Sequence, residues 1–290
     1  MVMKKNEIYT EISIDDEEYP KKLLDLNDPP DRLFCLGDIK MLKRRSVAIV
    51  GSRTTTKYGQ WAAKAISKKV SQHNIAVVSG MALGIDTYAH MAALEEIGST
   101  IAVLGCGIDR CYPARSWRLK DEIRNKGLVI SEYPMGTAPQ KWTFPLRNRI
   151  VAALSEIVVV VEAGNNSGAL ITAERAVEIS REVMAVPGNI NSMQSMGTNK
   201  LILDGATPVI VVKDILEALN VTEHIETNHI IGLGELEKIV YNAVRNSGEC
   251  TVADICDVTG KDVRTVNSTI TVLEMKGLLQ TAIGKVFVAK

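Results

Sequence analysis

The densest cluster of side chains able to do chemistry is Gln140-Lys141-Trp142-Thr143-Phe144-Pro145-Leu146-Arg147-Asn148-Arg149. Proline fits only the first turn of a helix, so Pro145 places Arg147 and Asn148 near a helix amino terminus, where the backbone dipole is positive. Rotation of about 100° per residue sends Arg147 and Arg149 to opposite sides. The apolar stripe is Leu146, Ile150, Ala153 and Leu154, and Arg147 falls at its margin. A cation there is costly unless an anion meets it. That anion is either a bound phosphate or an internal carboxylate, with Glu132 and Glu162 as the candidates. Lys141, Trp142 and Phe144 add a cation and two aromatic faces just before the helix. Such interleaving suits a single nucleic-acid strand, whose bases stack while its phosphates are neutralised.

Other segments offer anion-friendly helix starts. Ser167-Gly168-Ala169-Leu170-Ile171-Thr172 follows the Gly164-Asn165-Asn166 loop, and Gly51-Ser52-Arg53 adds a guanidinium to a glycine turn. Free amides and hydroxyls in such places form nests for phosphate. Gly197-Thr198-Asn199-Lys200 opens a later helix, where plain capping by Thr198 is the simpler reading. Asp86 and His90 are four residues apart and share a helix face, as an acid–base or metal pair would. No third ligand or nucleophile is in register, so a structural role for them is expected. Gly-x4-Gly-Lys-[Ser/Thr], His-Glu-x-x-His and Cys-x-x-Cys are all missing. Gly105-Cys-Gly107-Ile-Asp-Arg110 puts arginine where a dinucleotide fingerprint needs its third glycine.

The elements that must position these residues alternate in type. Val47–Val50, Ile75–Ser79, Thr100–Leu104, Leu128–Ser131, Ile157–Glu162, Glu182–Val186 and Pro208–Val212 read as strands buried on both faces. Gln60–Gln72, Thr87–Ile97, Pro145–Leu154 and Ala169–Ser180 read as the intervening helices. This is the pattern of an α/β, Rossmann-like, doubly wound, mainly parallel sheet, whose ligands lie beyond the strand carboxyl ends where strand order reverses. The residues just after the strands are therefore the ones to watch, Gly51 and Gly80 among them.

The expected organisation is an extension over residues 1–45, the sheet domain over 46–220, a polar linker over 221–234 and a small domain over 235–290. In the last, Thr251 and Asp262 cap two helices and Gly284 sits between two strands, a winged-helix pattern. Residues 225–290 carry seven Lys/Arg against eight Asp/Glu, which disfavours duplex binding by this module.

Over the whole chain of 290 residues, 34 Lys/Arg balance 34 Asp/Glu. Bulk positive charge therefore cannot attract a polyanion, and any such ligand needs a local basic pocket. No apolar run is long enough to span a membrane, and the acidic start does not read as a secretory signal. Five scattered cysteines do not suggest a disulfide framework and fit a cytoplasmic protein.

Taken in order, the motifs resemble the DNA-processing protein A (DprA, or Smf) family. They are Tyr19-Pro20, Val47-Ala-Ile-Val-Gly51-Ser52-Arg53, Ser79-Gly80-Met-Ala-Leu-Gly84-Ile85-Asp86 with Ala89-His90, Gly105-Cys-Gly107 with Tyr112-Pro113, and Ser131-Glu132-Tyr133-Pro134. Phe144-Pro145-Leu-Arg147-Asn148-Arg149-Ile150, Glu162 with Ser167-Gly168 and Thr172-Ala173, and Val186-Pro187-Gly188 with Gly197-Thr198-Asn199 complete the series. The resemblance implies an extended Rossmann core that binds single-stranded DNA, forms a homodimer and loads RecA recombinase in natural transformation, with neither cofactor nor metal. It puts Arg53, Lys141, Phe144, Arg147 and Asn148 in the phosphate pocket. Gly51, Ser52, Gly80, Gly84, Arg149, Ser167, Gly168, Thr172 and Asn199 are expected around it. The alternative is a nucleotide-processing enzyme of the Rossmann-like phosphoribohydrolase type. Gly164–Glu174 lacks that group's Pro-Gly-Gly and spaces Thr172 and Glu174 differently, which weakens this alternative.

Overall fold

Runs such as Val47–Val50 and Ile157–Val160 have no polar face to offer water, and they become strands with both faces covered. The computed structural model describes residues 9–221, 233–282 and 284–288. The chain divides into two compact units, Met1–Thr222 and Glu223–Lys290. Most of the polar linker expected at residues 221–234 lies outside the described residues, as do residues 1–8.

The first unit is built on nine strands: β1 (Thr10–Ser13), β2 (Arg32–Gly37), β3 (Ser46–Val50), β4 (Ala76–Ser79), β5 (Thr100–Leu104), β6 (Leu128–Ser131), β7 (Ile157–Val160), β8 (Glu182–Ala185) and β9 (Thr207–Pro208). Their order across the sheet is β1-β2-β6-β5-β4-β3-β7-β8-β9. From β6 to β9 every pairing is parallel, whereas β1–β2 and β2–β6 are antiparallel. The amino-terminal segment thus adds two strands to the sheet edge as well as packing Tyr19, Leu23 and Leu26 into the core. The chain runs outward from β3 to β6, then returns to place β7 beside β3. The crevice between the carboxyl ends of β3 and β7 is the topological switch point.

Among the described residues seven α-helices accompany this sheet: α1 (Lys57–Gln72), α2 (Ile85–Ala93), α3 (Trp117–Lys126), α4 (Thr143–Leu154), α5 (Gly168–Glu178), α6 (Met196–Leu203) and α7 (Asp214–Ala218). Apolar clusters on the two sheet faces enclose α4 and α5 on one side and α1 and α2 on the other. The strand expected at Pro208–Val212 does not form there: β9 is only Thr207–Pro208, overlapping it at Pro208. Val209 still donates to the Ala185 carbonyl, but the Asp214 carboxylate then takes the amides of Ile210 and Val211, which ends the ladder.

The second unit contains α8 (Glu235–Ser247), β10 (Glu249–Cys250), α9 (Val252–Thr259), α10 (Val263–Met275), β11 (Leu279–Ala282) and β12 (Lys285–Val288). Its strands pair antiparallel in the order β10-β12-β11 around a core of Val240, Val244, Ile255, Val266 and Leu273. Thr251 and Asp262 cap α9 and α10.

Two polar clusters fix loops at the carboxyl ends of the strands. In the first, Arg149 of α4 makes a two-pronged pair with Glu132, at 2.7 and 3.1 Å, and a 2.9 Å bond to Asp28. It thereby ties α4 to the end of β6 and to the amino-terminal segment. In the second, α2 fastens the loop after β4. The Asp86 carboxylate accepts from the amides of Gly80 and Ala82 at 3.0 and 3.2 Å. His90 Nε2 accepts from the Met81 amide, so its Nδ1 carries the proton and donates to Thr100 at 2.7 Å. Burial pushes the Asp86 carboxyl up, while the Arg147 charge and the two amides pull it back. Burial, with help from Arg147, pulls the His90 imidazole down to about 3.

Two consequences can be measured. Arg149→Ala leaves Glu132, whose side chain is only 11% exposed, without its partner. Urea unfolding should show a loss of about 3 kcal/mol; a loss of less than about 1 kcal/mol would mean that the cluster behaves like a surface pair. His90 refuses in the folded state a proton that it takes up in the unfolded state below its ordinary value of 6.5. Stability therefore falls with pH through this group, by at most about 1.4 kcal/mol per unit. His90→Gln should lose less stability than wild type between about pH 6.5 and 4.5. Parallel stability curves for the two proteins would contradict that assignment.

Candidate functional site

A cleft of about 870 Å³ opens at the switch point. Its walls come from the loops after β3, β4 and β5, the starts of α2 and α4, the loop leading into α5, and Met193–Gln194 before α6. Of the residues expected around the site, Gly51, Ser52, Arg53, Gly80, Lys141, Phe144, Arg147, Asn148, Ser167, Gly168 and Thr172 line this one space.

The exposed cations are Arg53 and Lys141. Among the described residues no ion pair takes up either of them. The Arg53 guanidinium lies 5.9 Å from the centre of the Phe144 ring, within cation–π range. Phe144 in turn packs on Tyr112, with ring centres 5.1 Å apart. A Cβ on Gly105 would come within 2.8 Å of the Phe144 ring, so that glycine seats the ring against the end of β5. Trp142 stays 61% exposed, meeting Tyr133 edge-on. Neither aromatic of the Lys141–Phe144 stretch is swallowed by the core.

Arg147 has a different role from these. It is buried, and its Nη1 donates to the carbonyls of Gly80, at 2.6 Å, and Val103, while Nε donates to Asn148 Oδ1 at 3.2 Å. Its nearby negative charge is Asp86. Neither carboxylate anticipated for it is the partner. Glu132 belongs to Arg149, and Glu162 accepts from the Thr56 amide and hydroxyl at the start of α1. Gly80 makes the arrangement possible, because a Cβ there would meet the guanidinium at 2.5 Å. Arg147 forms part of the cleft floor, fixed by the strand ends of β4 and β5.

Ser52 is likewise committed. Its hydroxyl oxygen lies 2.9 Å from Gln194 Oε1 and 2.7 Å from the Thr54 carbonyl, with one proton between them, and its amide donates to the Glu162 carbonyl. At the other wall Ser167 caps α5, and Asn148 donates to the Gly168 carbonyl, joining α4 to α5. The amino-terminal end of α5 faces the cleft, where its dipole favours an anion.

Three expected residues are not brought to the cleft. Arg149 points to the opposite side of α4 and is neutralised by Glu132 and Asp28. Asn199 clamps the Gly188 amide and carbonyl at 3.1 and 3.0 Å, holding the loop after β8. Gly84 adopts φ +82°, and a side chain there would strike the Ser52 and Arg53 carbonyls. It shapes the Gly51–Arg53 loop without touching the cleft. Conversely, Tyr112, Met193 and Gln194 line the cleft and carried no expectation. Tyr112 belonged to a quoted motif, Tyr112-Pro113, but had been given no place in the site. Gln194 lies in a loop with no distinguishing pattern.

The cleft thus presents two open cations, two aromatic rings and a helix amino terminus. Among the described residues the one carboxylate bordering it, Asp86, is turned inward onto amides. Among the described residues no group of His, Cys, Asp and Glu is arranged to hold a metal ion. No helix of those residues is long and apolar enough to cross a membrane.

Comparison with known proteins identifies the family of the chain. The family model described as DNA recombination-mediator protein A matches residues 10–220. A DNA processing protein DprA of Streptococcus pneumoniae is 46% identical over 210 residues, 72% of this chain and 73% of that protein. The corresponding protein of Bacillus subtilis is 41% identical over 209 residues, covering 72% and 70%. The X-ray structure of the S. pneumoniae protein superposes with a TM-score of 0.70 at 45% identity, covering 72% of this chain and 74% of that one. A structure of DNA processing protein A from Helicobacter pylori, described for its single-stranded DNA binding mode, gives 0.67 at 32% identity over 73% and 96%. With residues 10–220 matched by the family model and a relative 46% identical over 72% of the chain, the chain belongs to the DNA recombination-mediator protein A family.

Proposed function

We propose that this protein binds single-stranded DNA in the switch-point cleft and passes it to RecA recombinase, acting in the cytoplasm as a homodimer and breaking no covalent bond. The observation that carries the reading is the separation of charges around the cleft. Arg149, Glu132 and Glu162 satisfy internal needs, and Arg53 and Lys141 remain open beside the Phe144–Tyr112 rings. Phosphates of one strand sit against Arg53, Lys141 and the start of α5, and a base lies against the aromatic pair. A duplex fits less well, because its bases are already stacked on each other and cannot reach Phe144. The binding mode described for the H. pylori relative supports this substrate class. The RecA and homodimer steps rest on family membership, and a test for them is whether the protein speeds RecA filament assembly on single strands.

The DNA step has a direct test. Arg53→Ala combined with Lys141→Ala removes two phosphate contacts without disturbing a buried pair. Single-strand affinity should fall at least about tenfold, and the slope of log K against log salt should shrink by about 1.4. Unchanged affinity and slope in a folded double variant would contradict the reading. Phe144→Ala should weaken binding by about 1–3 kcal/mol while leaving the salt slope in place. Arg147→Ala is unsuited to this purpose, since it also releases the carbonyls of Gly80 and Val103.

A further inference from the structure

The chain has three tryptophans, and two of them are on the surface, Trp61 at 60% and Trp142 at 61% exposed. A lone exposed aromatic needs no explanation, so the argument turns on where these two stand. Trp61 stacks on Tyr58 one turn earlier in α1, with ring centres 6.0 Å apart and planes 27° from parallel. Tyr58 is itself 47% exposed. Its hydroxyl donates to the Pro187 carbonyl at 3.3 Å, two residues beyond the end of β8. Trp142 meets Tyr133, two residues beyond the end of β6. Uncovered aromatic surfaces therefore stand near the carboxyl ends of β6 and β8, and the cleft lies between them over β4, β3 and β7.

Five strand spacings separate β6 from β8. At about 4.8 Å each they span about 24 Å, several nucleotides of a stacked strand that advances about 3.4 Å per residue. The loop that begins at Pro187 also supplies Met193 and Gln194 to the cleft wall, so the Tyr58–Trp61 pair and the cleft share one continuous border. Exposed Lys57 precedes the pair on α1, and exposed Arg53 lies four residues before that. This setting suits a polyanion better than an apolar protein surface.

We infer that Tyr58 and Trp61 form a second stacking platform, which takes a base of single-stranded DNA after the strand leaves the cleft past Gln194. This rests on the reading of the cleft given above. The platform adds stacking and no phosphate contact, so it contributes only when the strand is long enough to reach it.

The test uses the full-length protein with two oligothymidylates, one of about six nucleotides and one of about twenty. Trp61→Ala should weaken binding of the longer strand by about five- to a hundredfold while leaving the shorter strand and the salt slope unchanged. Trp61→Phe should restore much of the loss, which a merely structural role would not require. Equal affinity of wild type and Trp61→Ala for the longer strand overturns the inference. So does an equal loss for both lengths, or a change in sedimentation without a change in DNA affinity, which would assign the platform to a second copy of the chain. If wild type binds neither oligonucleotide, the cleft reading itself fails. If it binds both and Trp61→Ala matches it, only the platform fails.

Discussion

A guanidinium buried at the carboxyl edge of a parallel sheet governs the rest of this site. Strand ends at a switch point leave carbonyls and amides that no neighbouring strand can satisfy. Arg147 answers the carbonyls of β4 and β5, and Asp86 answers the amides that follow β4. Each buried charge lies close to the other, which lowers the cost of placing both there. His90 and Gly80 complete the arrangement, one by holding the Met81 amide and the other by leaving room for the guanidinium. With the strand ends satisfied from within, the cations on the surrounding loops are free to meet something outside.

This division of labour explains how a chain with no net charge can present a cleft with open cations. Glu162 is spent at the start of α1 and Glu132 on Arg149, so neither quenches the cleft. Arg53 is steered over Phe144 rather than toward a carboxylate. A guanidinium held on an aromatic face keeps its charge and its donors directed outward. The resulting surface joins cations to π-faces, the pairing that lets a site grip a flexible strand without reading its sequence.

Most of the sheet was legible because buried parallel strands leave near-continuous Val and Ile runs, as at Val47–Val50 and Ile157–Val160. The loops at the strand ends followed from the alternation of strands and helices and from the motifs at Gly51–Arg53 and Ser167–Thr172, whereas the strand order that places the switch point came only with the structure. What could not be read was which charge finds which partner. Helical geometry separated Arg147 from Arg149 correctly, yet Asp28 and Asp86 emerged as partners only once β2, β6 and α2 were placed in space. Asn199 looked like a cleft residue and instead braces Gly188 across eleven positions. Tyr112 was noted only as part of a motif and given no place in the site, and Gln194 escaped notice, because loop residues carry no period and their position comes from the strand ends beside which they fall.

The central claim is that unpaired DNA occupies the space between the ends of β3 and β7. The most direct measurement is a crystal structure of the protein with a short oligothymidylate. The account predicts phosphate oxygens within hydrogen-bonding distance of Arg53 and Lys141, and a base against the Phe144–Tyr112 rings. Phosphates bound elsewhere on the molecule, with this cleft empty, would contradict it.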